Sequence, residues 1–278
     1  MAAQNYAESH LAILDESFFI GNKTELIVNN GIRLDFDGKQ AVTIYNMDPV
    51  AENDYIRDGV NRFGALAELG TGTQRFILSQ DKAFTFTVDR GNLEDSMMAQ
   101  EVAKAVKRQV REVSVKTTDI YRLATLAAYA VANSQTATLA LTASNTYMKV
   151  LEAQAIMDNL LVPEDQRVLY GTPSMINFLK RDPEYKIAAE TSYADGKKGI
   201  ISEVDGLTIV KVPSSYLPAN TGFMIVHKKV LVAPTKFDMV RILDEVQGID
   251  GKVAEGRRYY DAFIPTRKGK AIFLHKIA

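Results

Sequence analysis

Apolar and polar residues alternate in two segments that flank a long polar connection. Lys39–Met47 predicts an outgoing strand, and Ala83–Val88, where two phenylalanines and a valine alternate with polar or small residues, predicts the returning one. Asp48–Gln74 carries seven charges, four glycines and only scattered apolar residues. Connections longer than about 15 residues are uncommon in compact domains and are usually functional. Because a two-stranded ribbon alone is marginal in water, we expect another copy of the chain to cover it.

A four-residue spacing of apolar side chains predicts one long helix of about 20 residues, beginning near Leu93. Its apolar stripe consists of Met98, Val102, Val106, Val110 and Val113. Four cations fall on the opposite side, namely Lys104, Lys107, Arg108 and Arg111. This basic stripe is either a solvated helix face or a surface that faces packaged polyanion without reading sequence. The polar, β-branched run Ser114–Thr118 predicts a break before a second helix, Asp119–Ala130.

The second half of the chain mixes helices with short apolar strands. Ser144–Leu160 predicts a third helix, and Pro173–Lys180, with proline in its first turn, predicts a short fourth one. The inward side of the third helix is expected to carry Val150, Leu151, Ala155, Ile156 and Leu160. Strands are expected at Arg167–Tyr170, Leu207–Val212, Phe223–His227, Val230–Ala233, Asp238–Leu243, Arg258–Ile264 and Ala271–His275. Strands and helices do not alternate regularly, so the predicted fold class is α+β.

Residues 1–38 have the pattern of an arm. A short apolar run ends at Gly21, and a further turn follows at Asn30. So short an amphipathic piece cannot bury its apolar face alone, which makes Leu14, Phe18 and Phe19 candidates for contact with a neighbouring copy. The alternative is an N-terminal helix docked on its own domain.

Composition excludes several classes of function. A formal net charge of -1 gives no strong overall attraction to nucleic acid, so any polyanion contact must be local and weak. The chain has no cysteine, which excludes disulfides, thiolate metal sites and cysteine nucleophiles. No leader sequence is visible, and no apolar run approaches the roughly 20 residues of a membrane span. We therefore expect a soluble chain, made in the cytoplasm, that makes no membrane contact.

Candidate chemistry is sparse. His10, His227 and His275 lie far apart in sequence, and the last two are expected to be partly exposed at strand ends. Gly70–Thr73 lacks the pattern of a dinucleotide loop or a P-loop, and no G-x-S-x-G motif is present. The sequence therefore predicts no catalytic, cofactor-binding or metal-binding residues, and it favours a non-enzymatic role.

Five short segments, in this order, resemble a tailed-bacteriophage major capsid protein with the Hong Kong 97-like fold, and the resemblance covers almost the full length. The segments are Asp54–Gly64, Gln80–Asn92, Thr118–Leu123, Val162–Pro173 and Gly251–Phe263. The resemblance implies an N-terminal arm (1–38) and an extended β-hairpin loop (39–88). It also implies a peripheral domain with a long spine helix (89–135 and 230–265) and an axial domain (136–229 and 266–278).

The same resemblance implies a structural function. Copies of the chain would assemble, as hexamers and pentamers, into the icosahedral head shell that encloses double-stranded DNA, with a scaffolding protein and a portal as further partners. The chain would reside in the virion, and in the host cytoplasm during assembly. Contacts between subunits would involve Asp54, Tyr55, Arg57, Arg62, Phe63 and Glu68 on the extended loop, and the basic stripe would face the lumen. Asp48–Gln74 contains no lysine, so we expect a shell held without covalent links.

Two alternatives are kept. An encapsulin-like compartment would use a closed shell of the same fold to enclose a cargo enzyme. An oligomeric α+β enzyme would use the ribbon as a lid or dimer arm, with titratable groups of perturbed pKa converging in a pocket. The apparent arm and the basic stripe favour the phage capsid over the encapsulin-like shell.

Overall fold

The computed structural model divides into two compact units, which are described separately. Gly31–Ser79 forms one unit, and the described residues on either side of it form the other. The structure describes residues 21–32, 34–37, 41–66, 68–91, 101–185, 200–204, 206–244 and 246–277. The predicted arm contacts Leu14, Phe18 and Phe19, and the predicted helix start near Leu93 with Met98, lie outside the described residues.

The smaller unit contains a three-stranded antiparallel sheet. Its strands are β1 (Asp35–Asp37), β2 (Ala41–Met47) and β3 (Thr71–Ile77), in the order β1-β2-β3. The outgoing strand predicted at 39–47 is therefore confirmed. Its predicted partner is wrong, because β2 pairs with β3 and not with Ala83–Val88. The first five residues of β3, Thr71–Arg75, are polar or glycine, and its two large apolar residues, Phe76 and Ile77, are adjacent, so β3 carries no apolar alternation that could have identified it.

The returning segment belongs to a second three-stranded antiparallel sheet. This sheet has the order β10-β11-β4 and consists of β4 (Gln80–Asp89), β10 (Thr235–Leu243) and β11 (Gly251–Tyr260). The predicted one-sided apolar pattern of β4 is correct. Phe86 and Val88 pack with buried Ala254 against Val102 and Val106 of the long helix. The apolar face of β4 is therefore covered by a helix of its own chain.

The long helix is continuous from Glu101 to Ala132. It consists of α1 (Glu101–Gln109), a π-helical turn (Val110–Ser114) and α2 (Val115–Ala132). The predicted break at Ser114–Thr118 is wrong. The hydroxyl of Thr117 donates to the Val113 carbonyl at 2.8 Å, and that of Thr118 donates to the Ser114 carbonyl at 2.9 Å, so these β-branched residues stay within the helix.

The π-helical turn also changes which side of the helix is buried. Val102 and Val106 of the predicted apolar stripe are buried, but Val113 is exposed. A π-turn accommodates an extra residue and rotates the residues that follow it about the helix axis. The four-residue stripe is therefore correct before the turn and wrong at Val113, which lies within the turn.

The main core lies around a six-stranded mixed sheet with the order β5-β12-β9-β6-β8-β7. Its strands are β5 (Thr136–Thr138), β6 (Arg167–Gly171), β7 (Ile200–Val204), β8 (Leu207–Lys211), β9 (Thr221–His227) and β12 (Ile272–Lys276). Helix α2, α3 (Thr146–Asn159) and α4 (Pro173–Arg181) contribute side chains to the same core. The predicted strand Val230–Ala233 makes only isolated bridges, at Leu231 and Val232. The α+β class is confirmed.

Helix α3 turns a different side inward from the one predicted. Val150, as predicted, is buried, and it is joined there by Ala153 and Met157. Ala155, Ile156 and Leu160, which the pattern assigned to the core, are exposed. Apolar residues lie on both sides of this helix, so periodicity alone could not choose between the two faces.

The described start of the chain is anchored by a buried polar cluster. The carboxylate of Asp119, which is fully buried, accepts hydrogen bonds from the backbone N–H of Lys23 at 2.8 Å and from Thr24 Oγ1 at 2.6 Å. Arg122 donates to Thr24 Oγ1, and the Tyr170 hydroxyl donates to the Lys23 carbonyl. Burial lowers the pKa of Arg122, and burial raises the pKa of Tyr170. Residues 22–24 therefore dock on their own subunit.

Two histidines differ from expectation because both are buried. The ring of His275 stacks on Phe223 with centroids 4.8 Å apart, and Nδ1 of His227 accepts from the backbone N–H of Lys229. The prediction of partly exposed strand-end histidines is wrong, since each ring packs into the protein at the end of its strand. Burial lowers the pKa of both imidazoles.

Replacing the buried carboxylate tests the anchor. Asp119→Ala leaves the Thr24 hydroxyl and the Lys23 N–H without their acceptor, and it leaves Glu25 as the acid paired with Arg122. We expect the free energy of unfolding of the unassembled chain to fall by about 1–3 kcal/mol in urea denaturation. The exposed acid Asp165→Ala is the control, with a change within about 0.5 kcal/mol. Equal effects of the two variants would contradict the anchoring role.

The buried imidazole of His275 makes stability depend on pH. Its folded-state pKa lies below the ordinary value, so the unfolded chain binds the proton more readily. The contribution is complete above about pH 6.5, the ordinary histidine value, and is lost as the pH falls below it. His275→Phe preserves a ring against Phe223, so we expect a smaller loss of stability between pH 7.5 and 5.5 in denaturant titrations. An unchanged pH dependence would refute this assignment.

Candidate functional site: a subunit-contact surface

The segment between β2 and β3, residues 48–70, is here called the contact loop. Its described residues, 48–66 and 68–70, form no helix or strand. The backbone N–H of Asp48 donates to the Gly70 carbonyl at 2.8 Å and closes the base of the loop. Near the middle, the N–H of Ile56 donates to the Arg62 carbonyl, and Arg62 Nε donates to the Gly59 carbonyl. Local hydrogen bonds thus define the backbone of the contact loop.

The contact loop presents large apolar side chains to solvent. Val60 is 94% exposed, Phe63 84% and Leu66 fully exposed, and Tyr55 and Ile56 are also exposed. The rings of Tyr55 and Phe63 meet edge to face with centroids 5.1 Å apart, which is the one aromatic contact described in the loop. Concentrated exposed apolar surface of this kind marks a protein interaction site. The contact loop is therefore the strongest candidate functional site of the described chain.

The structure leaves all six predicted loop residues at the surface. Tyr55 and Phe63 are brought together, whereas Asp54, Arg57 and Glu68 make no ion pair with any described residue. Sequence reasoning missed Val60 and Leu66, which stand as single apolar residues in a polar segment. The sequence does carry a signal for these two residues. Neither fits a helical or strand-like spacing of apolar residues, so neither is expected in a core.

A cavity of about 170 Å³ lies beside the π-helical turn, between the long helix and β4. Its lining includes Phe84, Val113, Tyr260, Lys82, Thr117 and Arg258. The Arg258 guanidinium lies 5.4 Å from the centre of the Tyr260 ring and donates to Thr118 Oγ1. No carboxylate or imidazole belongs to the described residues that line it. The described lining of the cavity therefore lacks the carboxylate or imidazole that most general acid–base sites use.

The basic stripe lies on the exposed side of the long helix. Lys104, Lys107 and Arg111 are exposed, and Arg108 is half-buried and lies 3.2 Å from Glu112. The ion pair with Glu112 neutralises one of the four cations. The exposed position of the basic stripe agrees with both interpretations, a solvated helix face and a surface in weak contact with a polyanion.

The described ranges contain neither a cluster of metal-ligating side chains nor a membrane-spanning helix. There, histidine, aspartate and glutamate side chains form no group of three or more that could hold a metal ion. In the same residues, no helix is both long enough and apolar enough to cross a membrane.

Comparison with known proteins gives matches at the level of structure. No protein-family model matches the chain, and no curated protein sequence does. The capsid structure of the cyanophage P-SCSP1u is 9% identical and has a TM-score of 0.73, and the match covers 99% of this chain and 93% of that one. A chain from Microbacterium phage Oxtober96 is 11% identical with a TM-score of 0.71, over 98% and 96% of the two chains.

A third match is to the asymmetric unit of the mature capsid of bacteriophage PhiM1. It is 12% identical with a TM-score of 0.65, and it covers 98% of this chain and 92% of that chain. All three matches extend over nearly the whole of both chains. At such low sequence identity, they show that the fold is shared. The resemblance drawn from the sequence is confirmed in this sense: the chain has the fold of phage capsid structures.

Proposed function

We propose that this chain is the major capsid protein of a tailed bacteriophage, which self-assembles into the icosahedral head shell around double-stranded DNA. The observation that carries the proposal is the match over nearly the full length to phage capsid structures. The contact loop supports it, because its apolar side chains need a partner molecule. The chain then resides in the virion, and in the host cytoplasm during assembly. The matched structures come from phages, which does not favour the encapsulin-like or enzyme alternatives.

Within this proposal the parts of the chain take Hong Kong 97-like roles. The helix Glu101–Ala132 serves as the spine helix of a peripheral domain (89–135 and 230–265), supported by its packing on β4 and β11. The six-stranded sheet serves as the axial domain (136–229 and 266–278). This assignment is supported by the strand pairing, because these six strands form a sheet of their own. Residues 1–38 are the arm, and the contact loop is the central part of the extended loop (39–88).

Apolar burial is the main source of contact energy in this proposal. Burying a large apolar side chain contributes about 1.5–3 kcal/mol, whereas an exposed ion pair contributes about 0.2–1 kcal/mol. Phe63, Tyr55 and the exposed Val60 therefore anchor the loop on a neighbouring copy. The exposed charges of the same loop, Asp54, Arg57, Arg62 and Glu68, restrict the register of this contact.

Other partners follow from the shell role. Hexamers and pentamers of the chain close the shell, a scaffolding protein directs assembly, and a portal occupies one vertex. The basic stripe faces the lumen and contacts packaged DNA weakly through phosphate. No cofactor is proposed.

Removing the anchor of the contact loop tests the function. The wild-type chain, expressed alone or with its scaffolding protein, is expected to form closed particles in light scattering and negative-stain images. Phe63→Ser is expected to leave capsomers or free subunits, because the loop loses its largest apolar contact. The contact loop lies outside the cores, so the unfolding temperature of the free subunit should not change.

Leu139→Ser serves as the matched control for this experiment. Leu139 is, like Phe63, an exposed large apolar residue outside helices and strands, but it lies outside the contact loop. Its variant should assemble like the wild type. If the wild-type chain gives only small defined oligomers under both conditions, the proposed function is wrong. Normal particles from Phe63→Ser would show that the apolar anchor of the contact loop is not needed for assembly.

Replacing the stripe cations tests the DNA contact. The variant Lys104→Gln/Lys107→Gln/Arg111→Gln should bind double-stranded DNA fragments with a weaker salt dependence. We expect the slope of log K against log salt concentration to fall by about 0.9 for each lost phosphate contact. Lys211→Gln, at an exposed lysine on β8, is the control. A slope equal to that of the wild type would leave the stripe as a solvated helix face.

A further inference from the structure

A group of five cations lies at one end of the six-stranded sheet, in two neighbouring turns. Strand β9 ends at His227, and β12 begins at Ile272, which pairs with Val226. Because the two strands are antiparallel neighbours, the turn after β9 lies beside the turn that precedes β12. The cations, here called the turn cluster, are Lys228, Lys229, Arg267, Lys268 and Lys270.

The turn before β12 has a fixed backbone. It is a 3₁₀ helix, Thr266–Ala271, in which the N–H groups of Lys268 and Gly269 both donate to the Pro265 carbonyl. Gly269 is buried, and an added Cβ atom there would overlap with the Tyr129 side chain of helix α2. The turn is therefore packed closely on that helix, and the position of Lys268 is set by the fold.

Lys229 and Lys268 lie close together without a counter-ion among the described residues. Burial lowers the pKa of Lys268, and the charge of Lys229 lowers it further, while no described carboxylate raises it. Burial also lowers the pKa of the neighbouring His227, and both lysines lower it further, as does Arg167. Like charges held together in this way favour an anion bound beside them.

Two acids lie near the turn cluster, but on its other side. Strand β6 begins at Arg167, which pairs with His227, and β6 and β12 flank β9 on opposite sides. Glu164 and Asp165 therefore lie on the β6 side of the turn after β9. Asp165 contacts His227 through its backbone carbonyl, which accepts from the imidazole. The turn on the β12 side contains no acid, so that side of the cluster is positive.

The composition of the two turns fits a phosphate backbone better than a protein surface. The apolar residues of the turns, Val230, Leu231, Pro265 and Ala271, are all buried. Protein–protein interfaces are rich in aromatic side chains and poor in lysine, which is the opposite of this surface. Lysines without exposed apolar neighbours instead bind a polyanion through charge and the release of its counter-ions. The proposed shell encloses double-stranded DNA, which is such a polyanion.

We propose that the turn cluster is a second DNA-contact site, in which Lys229 and Lys268 bind phosphates of packaged double-stranded DNA. The inference rests on the proposed function, which supplies the DNA. It adds a site on the six-stranded sheet that is separate from the basic stripe. Lysine contacts of this kind position the backbone of the duplex and read no base sequence.

The test measures binding of the full-length chain to short double-stranded DNA fragments of mixed sequence, by fluorescence anisotropy at several salt concentrations. Lys229→Gln/Lys268→Gln should lower the slope of log K against log salt concentration by about 1–2, since each lost phosphate contact accounts for about 0.9. Lys229 is exposed, so Lys229→Gln alone should keep the fold and still lower the slope by about 0.9.

Lys180→Gln/Lys211→Gln is the matched control, because it removes the same charge from two exposed lysines outside the cluster. Its slope should equal that of the wild type. An equal decrease in both double variants would show an effect of net charge alone and would overturn the inference. An unchanged slope in Lys229→Gln/Lys268→Gln would overturn it as well.

Labelled polyglutamate separates DNA from an acidic protein as the partner. It should bind the wild-type chain more weakly than DNA does. Binding as tight as that of DNA, and lost in the same variant, would identify a carboxylate-rich partner and overturn the inference. Closed particles from a chain whose DNA binding does not depend on the cluster would contradict this inference alone. A wild-type chain that forms no closed particles, even with its scaffolding protein, would contradict the proposed function, and the inference about packaged DNA with it.

Discussion

The apolar side chains of the contact loop cannot be hidden by the loop that carries them. Val60, Phe63 and Leu66 lie on a backbone whose described residues form no strand or helix, and the Tyr55–Phe63 ring contact covers only part of that surface. The local hydrogen bonds give the loop a defined path but no interior. Burial has to come from outside the loop, and under the proposed function that partner is another copy of the chain.

The larger unit is built to hold its own shape. The first part of the long helix packs on the β10-β11-β4 sheet, and its later part contributes to the core of the six-stranded sheet. One helix therefore links these two sheets. The Asp119 cluster fixes residues 22–24 on the same helix, and Ile27 next to them is fully buried. The described start of the chain is thus fixed on the long helix of its own subunit.

Sequence reasoning succeeded where one local pattern had one structural outcome. The alternation in β4, the spacing of Val102 and Val106, and the proline at the start of α4 each led to the element observed. It failed where geometry depended on the rest of the fold. The partner of β2 depends on sheet topology, and the continuity of the helix depends on a π-turn that accommodates β-branched residues. The buried faces of α3 and of the strand-end histidines were likewise set by packing.

The candidate site was predictable in location but not in detail. Its polarity, its length and the absence of an apolar period indicated a segment without a core of its own, and the six predicted residues are all exposed. Val60 and Leu66 were missed because a single apolar residue in a polar segment has no neighbour in sequence to define a face. The exposure of Ile156 and Leu160 on helix α3 was missed for the opposite reason, since the pattern assigned both residues to a core that they do not enter.

An image reconstruction of the assembled particle, at a resolution that traces side chains, tests the central claim most directly. The account predicts that Val60 and Phe63 of each subunit are covered by atoms of a different copy of the chain. It is contradicted if, in a closed particle, those side chains remain in solvent or lie only against their own subunit.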